Sequence, residues 1–183
     1  LAGASPRLAP LIPGPRGWRL DIDGFRAAAA SSGARAVLLM SPSMPTGAVL
    51  TQAEWEAVAE ACRRHDLLLI YDAAMERILF DGREVLHPAS LPGMAERTIT
   101  VGSASKELRM IGWRIGWIVG PPDLIAGIGL VGISNVVCQV GLAMEAVAVA
   151  LEALSQDVAA AVAACQGRRD LILRQREGVV PAI

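Results

Sequence analysis

Lys106 is the only lysine in a chain of 183 residues that carries sixteen arginines. Fixed positive charge is supplied by guanidinium groups throughout. The lone ammonium differs from them in that it can lose its proton and attack a carbonyl carbon. It follows Ser103, Ala104 and Ser105, just past a short β-like run at residues 98–101, where a strand gives way to a loop. That position suits a Schiff-base lysine. An arginine-biased chain must also place its few lysines somewhere, and composition alone does not choose between the two. Three other residue types complete a chemical set. Asp72 follows the apolar run 67–71, Arg114 stands eight residues beyond the lysine, and Ser103 and Ser105 offer hydroxyls.

The elements that must position these groups are legible as a recurring pattern. Residues 1–16 hold Pro6, Pro10, Pro13 and Pro15, which exclude helix and predict an extended lead-in. Residues 18–22 read as a short strand, and Asp23 as the cap of a helix from Gly24 to about Ser32. The apolar run 36–40 is of the kind found in strands buried on both faces, and it ends in a 41–47 loop built on Pro42, Pro45 and Gly47. Thr51 and Glu54 form a capping box opening a helix to about His65, with Trp55, Val58, Ala59 and Cys62 on its buried face. Residues 67–71 are a second buried strand with Asp72 just past it, 98–101 a third, and 114–119 a fourth, closed by Gly120, Pro121 and Pro122. From Asn135 the chain reads as helix to about Glu177, with a break near Ser155. Strand, helix, strand predicts an α/β fold, a mainly parallel sheet flanked by helices and followed by long helices. Ligands bind such sheets at the carboxyl ends of the strands. The 41–47 loop, Asp72 and the 103–106 loop all fall there.

Bulk properties narrow the class. The length allows one domain-sized core, and 53% hydrophobic against 4% aromatic residues predicts an Ala/Val/Leu/Ile-rich interior. A formal net charge of −1 argues against a nucleic-acid partner or a polybasic membrane surface. Cys62, Cys138 and Cys165 are odd in number and widely spaced, so a reducing compartment, the cytoplasm, is expected rather than a disulfide framework. Residues 124–144 carry no charge and are long enough to cross a bilayer, but glycines, Ser134, Asn135 and Gln139 interrupt them. A buried helix pair is the better account. No basic and apolar leader opens the chain, which starts without Met and ends at Gly-Val-Val-Pro-Ala-Ile, as a piece of a longer protein would.

Competing motifs have plainer readings. Gly127, Gly129 and Gly132 match a dinucleotide fingerprint, but Pro121 and Pro122 open a helix where the fingerprint needs a strand; small residues for close helix packing explain them better. Glu152 lies mid-helix, not at a strand end. Cys62 and His65 form one C-x-x-H pair with no second pair at metal spacing, and His87 reads as a loop residue. No metal site is expected. Of Asp21 and Asp23, capping accounts for at least one.

What remains is the set Lys106, Asp72, Arg114, Ser103 and Ser105. Pyridoxal 5'-phosphate requires such a set: an amine to form the imine, a carboxylate to keep the ring nitrogen protonated, and an Arg with hydroxyls to clamp the phosphate. At these residues the chain resembles a family. Pro42-x-x-Pro45-Thr46-Gly47, Tyr71-Asp72 after an apolar strand, and Ser103-x-Ser105-Lys106 followed by Arg114 are similar to the class I/II aminotransferases, over about residues 8–180. The resemblance implies the large domain of the aspartate-aminotransferase-like fold, with residues 1–183 a part of it and the amino-terminal part and carboxy-terminal small domain lying outside. It implies that Lys106 forms the imine and carries the proton between substrate Cα and cofactor C4′. Asp72 is implied on the ring nitrogen, with Ser103, Ser105 and Arg114 on the phosphate. An amino group would pass from an amino acid to a 2-oxo acid, in a homodimer, within amino-acid biosynthesis. Two positions of the cofactor site depart from the family: Met44 stands for its Asn and Met75 for its Tyr, both donors to the phenolic oxygen. A thioether donates nothing, and Tyr71, on the opposite strand face from its neighbours, does not replace them. Without those donors the phenolate should hold the imine proton more strongly and raise the imine pKa. A different pyridoxal-phosphate reaction, such as a lyase, and a non-catalytic sensing or dimerisation domain are the alternative readings. The retained amine, carboxylate and guanidinium argue against the last.

Overall fold

The computed structural model describes residues 3–14, 17–31 and 33–176, and of residues 154–157 and 176 the backbone only. In chain order the elements are β1 (Leu11–Gly14), β2 (Gly17–Leu20), α1 (Ile22–Ala29), β3 (Ala36–Met40), α2 (Gln52–Arg64), β4 (Leu68–Asp72), β5 (Thr98–Ser103), β6 (Gly116–Val119), α3 (Pro122–Val136), α4 (Gly141–Glu152) and α5 (Leu154–Arg176). β1 and β2 make an antiparallel pair, and β3, β4, β5 and β6 a four-stranded sheet in chain order. The chain divides into two compact units, Leu1–Tyr71 with Leu86–Ile99, and Asp72–Val85 with Thr100–Ile183.

In the first unit the proline-rich lead-in becomes the outer strand of a hairpin, with Leu11 opposite Leu20; prolines are tolerated on such an edge. The predicted strand 18–22 ends at Leu20, because Asp21 rather than Asp23 caps α1. The Asp21 carboxylate accepts the Gly24 N–H at 3.1 Å, and Asp23 becomes a first-turn acid favourable to the helix dipole. The predicted end at Ser32 lies outside the described residues. The capping box of α2 forms as expected: Thr51 Oγ1 accepts from Glu54 N at 3.3 Å and Glu54 Oε2 from Thr51 N at 2.7 Å. The same carboxylate is buried and its other oxygen accepts the Leu20 N–H at 2.6 Å, so it ties the hairpin to the helix. Trp55, Val58, Ala59 and Cys62 are buried, with Leu20, Phe25, Leu67, Leu69 and Tyr71. Burial pushes the Cys62 thiol up to about 11, and His65 caps the helix end, so the C-x-x-H pair is structural. A helix joins β3 to β4, the connection that parallel neighbours need. β3 departs from expectation: it is at the sheet edge, and Leu38 is 71% exposed.

In the second unit Ala104, Ile115, Ala143 and Val147 form a buried cluster, with Leu108, Met110 and Trp117 packed on it. The expected buried helix pair is not found. α3 buries no residue, α4 buries only Ala143 and Val147, and a Cβ at Gly127, Gly129 or Gly132 would meet open space. Close helix packing therefore does not explain these glycines among the described residues. From Asn135 the chain forms three segments: the break at residues 137–140 departs from expectation, whereas that at Ala153 lies two residues from the one expected near Ser155. Among the described residues no helix is long and apolar enough to cross a membrane.

Because the buried Glu54 carboxylate accepts the buried Leu20 N–H and the part-buried Thr51 N–H, Glu54→Ala should cost about 2–3 kcal/mol of unfolding free energy. Glu56→Ala, on the exposed face, should change it by less than about 0.5 kcal/mol. Urea unfolding of the two variants checks the difference.

Candidate functional site

β5 runs on to Ser103, and the loop 104–115 returns directly into β6, which pairs antiparallel with it, Ser103 opposite Gly116. A crossover would have been needed for a parallel partner. The consequence concerns Arg114. Expected within the fourth strand, it instead caps a single helical turn (Ile111–Trp113) in the left-handed region, φ 57° and ψ 41°, ahead of the strand. An antiparallel strand begins where its neighbour ends, so Arg114 arrives at the carboxyl end of β5. The loop is closed by Ala104 N donating to Ile115 O and Met110 N donating to Ala104 O, each at 3.1 Å. Ala104 and Ile115 are buried against α4, and Ser105 and Arg114, one residue along from each, lie on the accessible side.

The hydroxyls and the guanidinium come together there. Ser103 Oγ accepts the Ser105 N–H at 3.2 Å, and Arg114 Nη1 is 3.5 Å from Ser105 Oγ while donating to Ile111 O at 2.9 Å. Two glycines permit the strand pairing beneath: a Cβ on Gly102 would run into the Trp117 indole, and one on Gly116 would lie 2.8 Å from Gly102 O.

Asp72 is the last residue of β4, not the first beyond it. One carboxylate oxygen accepts the Ala74 N–H at 3.0 Å, and Ala73 N donates to Val101 O on β5 at 2.9 Å. The turn that follows carries the half-buried Met75. Lys106 is exposed, in the same loop as the serines, and its amine has no hydrogen-bond partner among the described residues. Asp72, Met75, Ser103, Ser105, Lys106 and Arg114 thus all belong to the second unit. Met44 belongs to the first, 59% exposed in the 41–47 loop, where Gly47 N donates to Ser43 O at 2.7 Å. Tyr71 is buried, with its hydroxyl donating to Ser41 O at 2.9 Å.

The donor set fits a phosphorylated carbonyl cofactor: hydroxyls and a guanidinium for an anion, an accessible amine, and a carboxylate at the adjoining strand end. A cleft of about 400 Å³ is lined by Arg109, Gly112, Trp113, Val140, Leu142 and Ala143 and holds none of this set; convergent chemistry is the better guide to the site. No group of three His, Cys, Asp or Glu residues that could hold a metal occurs among the described residues. Sequence reading passed over Glu107. It is 7% exposed beside the exposed lysine, and accepts the Arg77 N–H at 2.8 Å. A charged residue in a polar loop gives no signal that it turns inward.

Residues 2–181 match the class I and II aminotransferase family. The chain is 45% identical over 139 residues to an arginine–pyruvate transaminase of Pseudomonas aeruginosa, covering 76% of this chain and 35% of that one. The structure of N-succinyldiaminopimelate aminotransferase from Mycobacterium tuberculosis superposes with a TM-score of 0.88 at 39% identity, over 92% of this chain and 44% of that one. A double mutant of Thermus thermophilus aspartate aminotransferase gives a TM-score of 0.79 at 31% identity, over 92% and 44%. The chain spans less than half the length of each of these relatives.

Burial pushes the Glu107 carboxyl above its ordinary value of 4.5, with Glu76 adding to the rise and Arg77 opposing it. The native state then binds this proton more tightly than the unfolded chain. Stability from the group is complete below pH 4.5 and is lost as pH rises through the raised native value. Denaturant melts at about pH 4 to 8 should show wild type gaining on Glu107→Gln as pH falls; a constant difference contradicts the assignment.

Proposed function

This chain belongs to the class I and II aminotransferases and has their aspartate-aminotransferase-like fold, and on that premise we propose that it is the central part of the cofactor-binding large domain of an amino-acid aminotransferase. Pyridoxal 5'-phosphate is the cofactor of the family. When bound it supplies an electron sink for the bond broken at the substrate Cα. The Lys106 amine would hold the cofactor and would carry the proton taken from the substrate Cα. The Asp72 carboxylate keeps a proton on the ring nitrogen, and Ser103, Ser105 and Arg114 bind the phosphate. The partners are an amino acid and a 2-oxo acid, with no nucleic acid and no membrane. The protein works in the cytoplasm, in keeping with its three free cysteines, and as a homodimer.

One observation carries the reading: the hydroxyls and guanidinium converge beside an accessible lysine at the carboxyl end of β5, one strand from Asp72. Met44 and Met75 favour a second reading, another reaction of the same cofactor such as a lyase, because neither thioether donates to the phenolic oxygen. Mixing the full-length protein with a panel of amino acids and 2-oxo acids separates the two. Amino transfer should occur, and Lys106→Ala should lower it by about 10²–10⁴-fold; release of ammonia or a side-chain fragment in place of transfer would favour the second. The paired change Met44→Asn, Met75→Tyr should lower the pH at which the bound cofactor changes colour. An unmoved midpoint would show that these positions do not govern the phenolic oxygen.

A further inference from the structure

We infer that Glu107 is a positioning residue that sets Lys106 relative to Asp72 by holding the backbone N–H of Arg77, an assignment that rests on the cofactor reading above. Lys106 is exposed while Glu107, the next residue, is 7% exposed. A carboxylate withdrawn from water is costly unless hydrogen bonds satisfy it. Here one oxygen takes the Arg77 N–H at 2.8 Å, and the other lies 3.7 Å from Arg77 Nε. The Arg77 side chain is 48% exposed and lies 4.0 Å from Glu76 as well, so the ion pair is screened and shared. The backbone hydrogen bond is the stronger of the two ties.

Its position gives it a role. Residues 74–77 are the turn that follows Asp72 after one residue, Ala73, closed by Glu76 N donating to Ala73 O at 3.1 Å and continued by Ile78 N donating to Met75 O at 2.9 Å. At its start this turn is fixed to β5 by Ala73 N and Val101 O. At its end it is fixed to the lysine loop by Arg77 N and Glu107. The path from Asp72 through the turn, across Glu107 to Lys106, and back through Ser103 to Val101 is a closed ring with two cross-links. Asp72 is the residue before one cross-link, and Lys106 the residue before the other. The lysine loop is already anchored by Ala104 and Ile115, but with the first tie alone the turn could swing about Ala73 relative to it. The second tie removes that freedom, and the same turn carries Met75.

The charge of Glu107 is not what this role needs; an oxygen acceptor is. In the full-length holoenzyme Glu107→Gln keeps such an oxygen, while Glu107→Met fills similar volume without one. Glu107→Gln should retain kcat within about threefold, whereas Glu107→Met should lose about tenfold or more in kcat with KM for the amino acid little changed. The visible circular dichroism of the bound cofactor should weaken in Glu107→Met alone. Equal behaviour of the two variants would overturn the proposal, either by showing no effect or by showing that the charge matters. Amide hydrogen exchange on wild type supplies a reading that needs no variant to fold: the Arg77 N–H should be protected, and rapid exchange there would overturn the assignment. Lys106→Ala separates this from the underlying reading. If its bound-cofactor spectrum matched wild type, the cofactor assignment would fall, whereas an altered Lys106→Ala spectrum beside indistinguishable Glu107 variants would fell only the positioning role.

Discussion

The antiparallel pairing of β5 with β6 is the constraint on which the site depends. It sets Ser103 opposite Gly116 and so returns the chain to the carboxyl end of β5. Three features make it form. Gly102 leaves room for the Trp117 indole, Gly116 lets the two backbones approach, and Ala104 N with Ile115 O closes the loop above them. Burial of Ala104 and Ile115 against Ala143 and Val147 anchors that loop from below. Ser105 and Arg114 are then set on the accessible side by their neighbours' burial, and their own bonds to Ser103 and Ile111 add to it. The Arg114 guanidinium, nine residues beyond Ser105, thereby comes within 3.5 Å of its hydroxyl.

The same logic extends to Asp72. Its place at the end of β4 puts a carboxylate one strand away from the lysine loop, and the bond from Ala73 to Val101 keeps it in step with β5. Tyr71, one residue earlier, points into the core of the first unit, where its ring meets Trp55 edge-on at a centroid distance of 5.3 Å and its hydroxyl is engaged by Ser41. Strand alternation assigns one residue to the core and the next to the site.

Much of this was legible in sequence, and unevenly so. Local rules read correctly the Thr51–Glu54 capping box, the buried face of α2, and the approximate positions of the apolar strands, because each depends on a few neighbouring residues. The grouping of Ser103, Ser105 and Arg114 near Lys106 was legible because residue types alone restrict what such a set can do. Properties settled at longer range were not. That Arg114 precedes a strand instead of lying in one follows from the return of the 104–115 loop, and that Asp21 caps α1 in place of Asp23 from where β2 ends. That Glu107 turns inward depends on an N–H thirty residues away. The apolar runs of β3 and α3 were read as buried, yet Leu38 is 71% exposed and α3 buries nothing among the described residues. Apolar sequence states what a segment requires, and only the packed chain states whether a neighbour supplies it.

The central claim is that the one lysine of this chain carries the cofactor. Borohydride reduction of the full-length holoenzyme, followed by proteolysis and mass spectrometry, tests it directly. The reduced linkage is stable, and Lys106 is the only lysine in these 183 residues. The account predicts a phosphopyridoxyl group on the peptide containing Lys106. An unmodified Lys106 peptide, with the cofactor released free or fixed to a lysine outside this stretch, would contradict it.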